Sequence, residues 1–328
     1  MKVDIANLPT QEVPIAQIEF DEENPRIQFL NDNLRAQGKK TISQEEIRFA
    51  QAAKTKSSYD KLLTSIETRG LIDPIWLYKR GDKYVTIEGN TRKMVFEDLV
   101  EKYPGDSRWL TIKAKVLPEG VSDDDIAFLR LEAHLGGKRP WDAYERARYL
   151  YELSLKGYTK NRLATEARTN SSEVEKDLKA YELMREEFLP HFGRVTENPT
   201  SKYSFFVELV KNKEMRKLIQ TSEISVEDFC SWVAEDKIPM AINVRNLPHI
   251  YDDAEAIKIF KDKEYESAML YLSTIKPEVA SQLFRDIEKV IYRLKNLRNF
   301  EITEIREEKV KRDTVLELIK QANDILDM

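Results

Sequence analysis

The sequence predicts an α+β amino-terminal domain followed by helices alone, and three observations carry that prediction. Apolar–polar alternation of strand type occurs only early, in VPIAQIEF (13–20), PIWLYKRGDKYVTIEG (74–89) and TIKAKVL (111–117). From Trp141 onward apolar residues recur at helical spacing instead, with breaks at Gly157, Arg168–Asn170, Pro190, Pro199, Pro239, Pro248 and Pro277. Charged residues make up 34% and apolar residues 41% of 328 positions, which suits a helix-rich chain with its own core and room for two or three domains.

Taken in order, residues 13–20 read as a short strand or extended lead-in, and DEENPRI (21–27) as a loop. Residues 31–58 are polar and partly helical. In SYDKLLTSIETRG (58–70), Leu62, Leu63 and Ile66 share one helical face and Gly70 ends it. Two strands flank a Gly81-Asp82 turn. A helix follows over about 91–102. Residues 111–117 alternate like a half-buried strand, and Ser122 with Asp125 starts a helix reaching about Glu132. The expected domains are 1–140, 141–195 and 196–328. The last carries two apolar stripes, Leu283 to Leu297 and Val315 to Leu326, that predict an antiparallel helical hairpin.

Composition excludes several classes. No apolar run approaches the roughly 18–20 residues that span a bilayer, so no membrane partner is expected. The first residues, MKVDIANLPTQEV, lack the pattern of a secretory signal, which makes the cytoplasm the expected compartment. The single cysteine, Cys230, excludes an intramolecular disulfide and a multi-cysteine zinc site. His134, His191 and His249 are scattered and make no metal-binding pattern. A net charge of −5 argues against indiscriminate coating of nucleic acid, though a local basic face is still allowed.

Four constellations carry chemistry. In YVTIEGNTRKMV (84–95) a strand ends in Gly89, and Asn90 or Thr91 can cap the helix that follows. Arg92 and Lys93 then stand in the first turn, where the helix dipole disfavours cations unless an anion offsets them. A bound phosphate would supply that charge; a capped structural turn with two solvated cations is the other reading. In EAHLGGKRPW (132–141), two glycines and two cations, Lys138 and Arg139, form a basic loop able to wrap phosphate oxygens. Glu132 could hold Mg²⁺ beside those oxygens; alternatively the loop is a hinge, with Trp141 packed on the next helix. Asn24-Pro25-Arg26 puts a basic residue in a rigid loop that could lean over a ligand.

The fourth constellation is SLKGYTKNRLATEARTNSSEVEKDLKAYELM (154–184). A short helix with Leu163 and Ala164 meets a turn at Arg168–Asn170. The next helix aligns Val174, Leu178 and Tyr181 on one face, with Ser172 and Glu175 in capping spacing. This spacing is that of a helix-turn-helix, and it favours DNA binding over an ordinary pair of bundle helices. The second helix would offer Ser171, Ser172, Glu173, Lys176 and Lys179 to a major groove, and Lys160, Arg162, Arg168, Lys176 and Lys179 could meet phosphates, whereas Glu173 and Glu175 oppose DNA unless they read cytosine.

The order of these features resembles the ParB family, with its ParB/sulfiredoxin-like amino-terminal domain, over about Val13 to Met184. ENPR (23–26) is similar to an early NPR-type box, and ETRGLIDPIWL (67–77) to a Gly-Leu-x-Gln-Pro-Ile segment with Asp73 in place of Gln. YVTIEGNTRKMV resembles the Gly-Glu-Arg-Arg box in a Gly-Asn-Thr-Arg form, and LRLEAHLGGKRPWDAYERARYLYEL the Glu-Asn-x-x-Arg box and its following helix. The resemblance implies a nucleoside triphosphate, CTP with Mg²⁺, in a homodimeric clamp on double-stranded DNA. It implies cofactor contacts from Gly89, Asn90, Thr91 and Arg92, with Gly70 and Pro74 on the base side, Lys138 or Arg139 as the last basic position, and Glu132 beside the metal. Sulfiredoxin chemistry would need a cysteine in the turn that holds Asn90 and Thr91 here.

Three functions follow as expectations. The first is a nucleotide-regulated DNA-binding protein of a partition, mobile-element or defence system, associated with nucleoid or plasmid. The second is an enzyme, a weak NTPase or a metal-dependent nuclease, with Glu132 as catalytic candidate and Glu88 and Asp123-Asp124-Asp125 as further carboxylates. The third is an interaction scaffold that binds a partner protein through its carboxy-terminal helices.

Overall fold

The computed structural model describes residues 3–135 and 141–276, and beyond them residues 287, 290, 291, 293–295, 297 and 299–326. The chain divides into two compact units, residues 1–216 with 225–234, and residues 217–224 with 235–328.

In the first unit β1 (Thr10–Pro14), β2 (Ile18–Glu19), β3 (Ile75–Arg80), β4 (Lys83–Glu88) and β5 (Thr111–Val116) form one mixed sheet in the order β1-β5-β3-β4-β2. β5 pairs antiparallel with β1 and parallel with β3; β4 pairs antiparallel with β3 and parallel with β2. The β3–β4 hairpin turns at Gly81, whose φ of 61° is open to glycine at no steric cost. Alternation along β3 sends Ile75 and Leu77 to one face of the sheet, against Val95, Phe96 and Leu99. Trp76 and Tyr78 go to the other face, with Ile87, Ile126 and Leu129. Both faces are therefore covered, and Val85, Thr86 and Ile87 of central β4 are all buried.

The covering helices are α1 (Pro25–Ala36), α2 (Gln44–Arg69), α3 (Asn90–Lys102) and α4 (Asp123–Leu135). Two expectations need correction. The loop expected over 21–27 gives way at Pro25 to α1. Asn24 caps that helix by accepting from the Arg26 amide at 3.2 Å, and Pro25 occupies the first position, where its missing N–H costs nothing. The helix expected over 58–70 is only the second half of α2. The first half opens with a Ser43–Glu46 capping box; among its described side chains the buried apolar ones are Ile47 and Ala50, beside Phe20, Ile27 and Met94, so it carries little apolar periodicity. Gly70 ends α2 with φ 74°. Ser122 caps α4 as expected, accepting from the Asp125 amide at 3.1 Å.

The first unit continues through α5 (Ala143–Leu155), α6 (Lys160–Glu166), α7 (Ser171–Leu183), a π-turn over Met184–Phe188, α8 (Leu189–Phe192), α9 (Tyr203–Lys211), α10 (Lys213–Gln220), which runs on into the second unit, and α11 (Val226–Ala234). Among the described residues no strand follows β5. Leu131 of α4, Leu150 and Leu153 of α5, Leu163 and Ala164 of α6, and Val174 of α7 share one core. Asn170, not Ser172, caps α7, accepting from the Glu173 amide at 2.9 Å. Both residues have capping chemistry, and the backbone enters the helix one residue after Asn170.

The second unit holds α12 (Leu247–Tyr251), α13 (Ala254–Asp262) and α14 (Tyr265–Ile275), with Phe260 and Leu272 buried and Asn246 donating to the Tyr265 hydroxyl at 2.7 Å. Its later helices are α15 (Asn299–Glu307) and α16 (Lys309–Leu326). The first stripe of the expected hairpin lies partly outside the described residues; its Ile287, Val290, Ile291 and Leu294 are exposed, as are Leu318 and Ile319 of the second. No helix among the described residues is long and apolar enough to cross a membrane.

A buried ion pair joins the sheet's edge to α4 and α5. Arg130, 3% exposed, donates to both oxygens of Asp21 at 2.7 and 3.2 Å, to Glu23 at 3.0 Å and to the Tyr149 hydroxyl at 3.1 Å. Tyr149 in turn donates to the Ala127 carbonyl at 2.9 Å. Removing one partner leaves the other charge buried. Asp21→Ala is therefore expected to cost about 3–5 kcal/mol in urea denaturation, while Glu23→Ala, which removes a carboxylate already 60% exposed, costs no more than about 1 kcal/mol.

Candidate functional site

A cleft of about 1010 Å³ opens where the end of β4 meets the start of α3. Segments far apart in sequence wall it: Asn24 and Arg26, Asp73 and Pro74, Glu88 to Arg92, and Glu132 to His134. Of the residues expected to hold a nucleotide, Pro74, Gly89, Asn90, Thr91, Arg92 and Glu132 all line this one cleft. Gly70 does not; it is the C-cap of α2. Lys138 and Arg139 lie outside the described residues. The sequence did not single out Asp4, Gln51, Trp76 and Lys115 as site residues, and Arg168 reaches the cleft from the turn after α6.

Gly89 makes the geometry available. Its φ is 110°, and a Cβ added there would lie 2.3 Å from Cγ2 and 2.7 Å from Cβ of Ile75. Only glycine lets β4 end this close to the first residue of β3 and turn at once into α3. Gly89 is itself the N-cap of α3, with no side-chain capping bond. This corrects the expectation that Asn90 or Thr91 caps the helix. Their side chains turn inward instead: Asn90 Oδ1 accepts from the Thr86 hydroxyl at 2.5 Å and from the Asp21 amide at 3.4 Å, and Thr91 Oγ1 accepts from Gln51 at 3.1 Å.

The two cations of the first turn find carboxylates within the protein. Arg92 pairs with Glu88 and donates to the carbonyls of Asp73 at 2.7 Å and Pro74 at 3.3 Å. Lys93 is 2% exposed, lies 3.5 Å from the centre of the Phe20 ring and pairs with Glu97. Burial lowers its pKa, against the raising effect of Glu97. The dipole penalty that suggested a phosphate is thus offset by Glu88 and Glu97. Adjacent helix positions point about 100° apart, so Lys93 faces the core while Arg92 strands the Asp73–Pro74 turn against the cleft.

Glu132 stands near the end of α4, with Arg168 donating to its Oε1 at 2.8 Å. Its neighbour His134 stacks on Trp141 at 4.6 Å, and Trp141 is buried against Tyr149. Two of the acidic trio have local work: Asp125 takes part in the cap of α4, and Asp124 accepts from the Tyr158 hydroxyl and lies 3.6 Å from Arg162. No group of three or more metal-ligating side chains occurs among the described residues.

On the helix pair, Lys160 and Lys179 both approach Glu175, at 3.5 and 2.9 Å, and Lys176 approaches Glu173 at 2.7 Å. Arg162 lies over the rings of Phe128 and Tyr158 at 4.8 and 4.7 Å. Ser171 donates to Asn161 at 2.5 Å, and Ser172 is exposed. Each of the five expected phosphate-contacting cations thus has a carboxylate within 4 Å. Exposed pairs of this kind contribute only about 0–1 kcal/mol, so a phosphate can replace the carboxylate. Cys230 is buried in α11, and burial pushes its thiol up to about 12, which removes it from thiolate chemistry.

No family model matches the chain, and no curated protein matches it. Among solved structures it is similar to the chromosome-partitioning protein ParB from Caulobacter crescentus complexed to the centromeric parS site, at 14% identity and a TM-score of 0.35, over 69% of this chain and 99% of that one. It is similar to the same protein complexed with CTP-γ-S at 13% identity and a TM-score of 0.24, over 69% and 98%. A Pnob8-like ParB-N domain matches at 14% identity and a TM-score of 0.33, over 87% and 98%.

Gly89→Ala combines a left-handed side chain with a clash against Ile75. It is expected to cost about 2–4 kcal/mol, read as a fall in the urea midpoint, whereas Gly81→Ala, which meets nothing within 4 Å, costs no more than about 1–2 kcal/mol.

Proposed function

We propose that this chain is a ParB-like DNA-binding protein whose amino-terminal cleft takes a nucleoside triphosphate, CTP first among the candidates, together with Mg²⁺, and that occupancy of the cleft regulates its engagement of double-stranded DNA. One observation carries the reading: the segments that resemble the family's boxes, remote in sequence, converge on a single cleft at the uncapped amino end of α3. Amides at such a helix end attract phosphate. Glu132 in the cleft wall suits Mg²⁺, which takes one or two carboxylates and fills its other positions with phosphate oxygens and water. When bound, that ion would neutralise phosphate charge. Arg92 acts in this reading as a positioning residue, holding the Asp73–Pro74 turn through its carbonyl bonds.

Residues 1–140 would then be the nucleotide domain and 141–195 the DNA-binding helix pair. Residues 196–328 would be the dimer or partner contact, a role supported by the exposed Leu318 and Ile319. The protein would work in the cytoplasm on a nucleoid or plasmid, in partition, mobile-element or defence systems.

Two measurements test the reading. In calorimetric titration of CTP, ATP, GTP and UTP with Mg²⁺, wild type is expected to bind at least one, and Glu132→Ala to weaken that binding about tenfold. Wild-type protein that ignores all four ends the nucleotide reading. In duplex binding over a salt series, Lys176→Ala and Lys179→Ala should each lower the slope of log K against log salt by about one. Duplex binding with an unchanged slope in both variants removes the helix pair from the DNA contact.

A further inference from the structure

Arg168 occupies a backbone position that favours glycine. It follows Ala167, the C-cap of α6, and has φ 52°. The chain reverses there, with the Thr169 amide donating to the Ala164 carbonyl at 2.9 Å. Helices that end in this way usually place Gly or Asn at such a residue, because an L side chain is strained in the left-handed region. Packing offers the arginine little to offset that strain, for its side chain is 67% exposed. What it does is cross to α4 and donate to Glu132 at 2.8 Å, in the wall of the cleft. An exposed ion pair contributes little to folding, so fold stability does not account for an arginine here.

The other cations of the cleft wall are more firmly held. Arg26 and Arg92 are 13% and 17% exposed, with Glu145 at 3.9 Å from the first and Glu88 bound to the second. Lys115 donates to the carbonyls of Ile5 and Ala6, each at 2.8 Å. Arg168 reaches the cleft with its carboxylate partner, Glu132, itself 43% exposed.

We propose that Arg168 is a phosphate-contacting residue of the cleft, supplied by the turn between α6 and α7. The inference rests on the triphosphate reading and adds to it a ligand contact from outside the amino-terminal domain. A cation carried in on the phosphates would take over the Glu132 carboxylate, and the freed guanidinium, always charged and able to donate in pairs, would turn to the phosphate oxygens beside it. The ligand would then touch the turn of the helix pair directly.

The test is calorimetric titration of the full chain with tripolyphosphate and with CTP, each with Mg²⁺, for wild type, Arg168→Gly and Arg168→Lys, alongside thermal melts. Glycine relieves the backbone and removes the guanidinium. The expected result is an unchanged or raised Tm in Arg168→Gly, an affinity for both probes weakened about tenfold or more, and an intermediate loss in Arg168→Lys. Equal probe affinity in wild type and Arg168→Gly overturns this proposal while leaving the nucleotide reading in place. A lower Tm with unchanged probe affinity assigns Arg168 to the fold, and weaker duplex binding with unchanged probe affinity assigns it to DNA; either overturns the proposal. Wild-type protein that binds neither probe overturns both readings.

Discussion

The contact between Gly89 and Ile75 is the constraint on which the first unit's architecture depends. Without a Cβ, the end of β4 can lie against the start of β3 and pass directly into α3. Three consequences follow from that one approach. The first amides of α3 have no side-chain cap, Asn90 and Thr91 are turned into a buried polar network with Thr86, Asp21 and Gln51, and Arg92 is brought onto the carbonyls of Asp73 and Pro74. A cleft is left between segments that are remote in sequence.

Charge is used in two regimes in this unit. The Arg130–Asp21 pair and Lys93 are almost fully withdrawn from water, and such groups are tolerated because each has a close partner of opposite sign. The pairs on the helix pair, Lys176 with Glu173 and Lys179 with Glu175, are about 34–59% exposed and weakly held. The same residue types thus serve opposite ends: inside they specify how α4 and α5 meet the sheet, and outside they are available for exchange with a competing anion.

The helix pair is not an independent module. Leu163, Ala164 and Val174 bury against Leu131 of α4 and Leu150 of α5, and Tyr203 of α9 donates to the Asp177 carbonyl of α7 at 3.1 Å. α4, which carries Glu132 into the cleft wall, therefore shares one core with α6 and α7 and meets the turn between them through the Arg168–Glu132 bond.

Much of this was legible in the sequence because it is local chemistry. The β3–β4 hairpin follows from alternation around Gly81-Asp82, the end of α2 from Gly70, the opening of α4 from Ser122 and Asp125, and the two short helices around Arg168–Asn170 from their apolar spacing. The polar first half of α2 was legible only as partly helical, since few of its described apolar side chains are buried against Phe20 and Met94, and Pro25 reads equally as a turn or as the first residue of a helix. The candidate site divides the same way. The sequence alone determined which segments carry glycine, cation and carboxylate, and that Gly89 precedes a helix. Only the tertiary structure decided that these segments share one cleft, that Arg92 and Lys93 are neutralised by Glu88 and Glu97, and that Arg168 leans on Glu132. Ion pairing and burial depend on distances between residues tens of positions apart, and those distances are set by packing rather than by any local pattern.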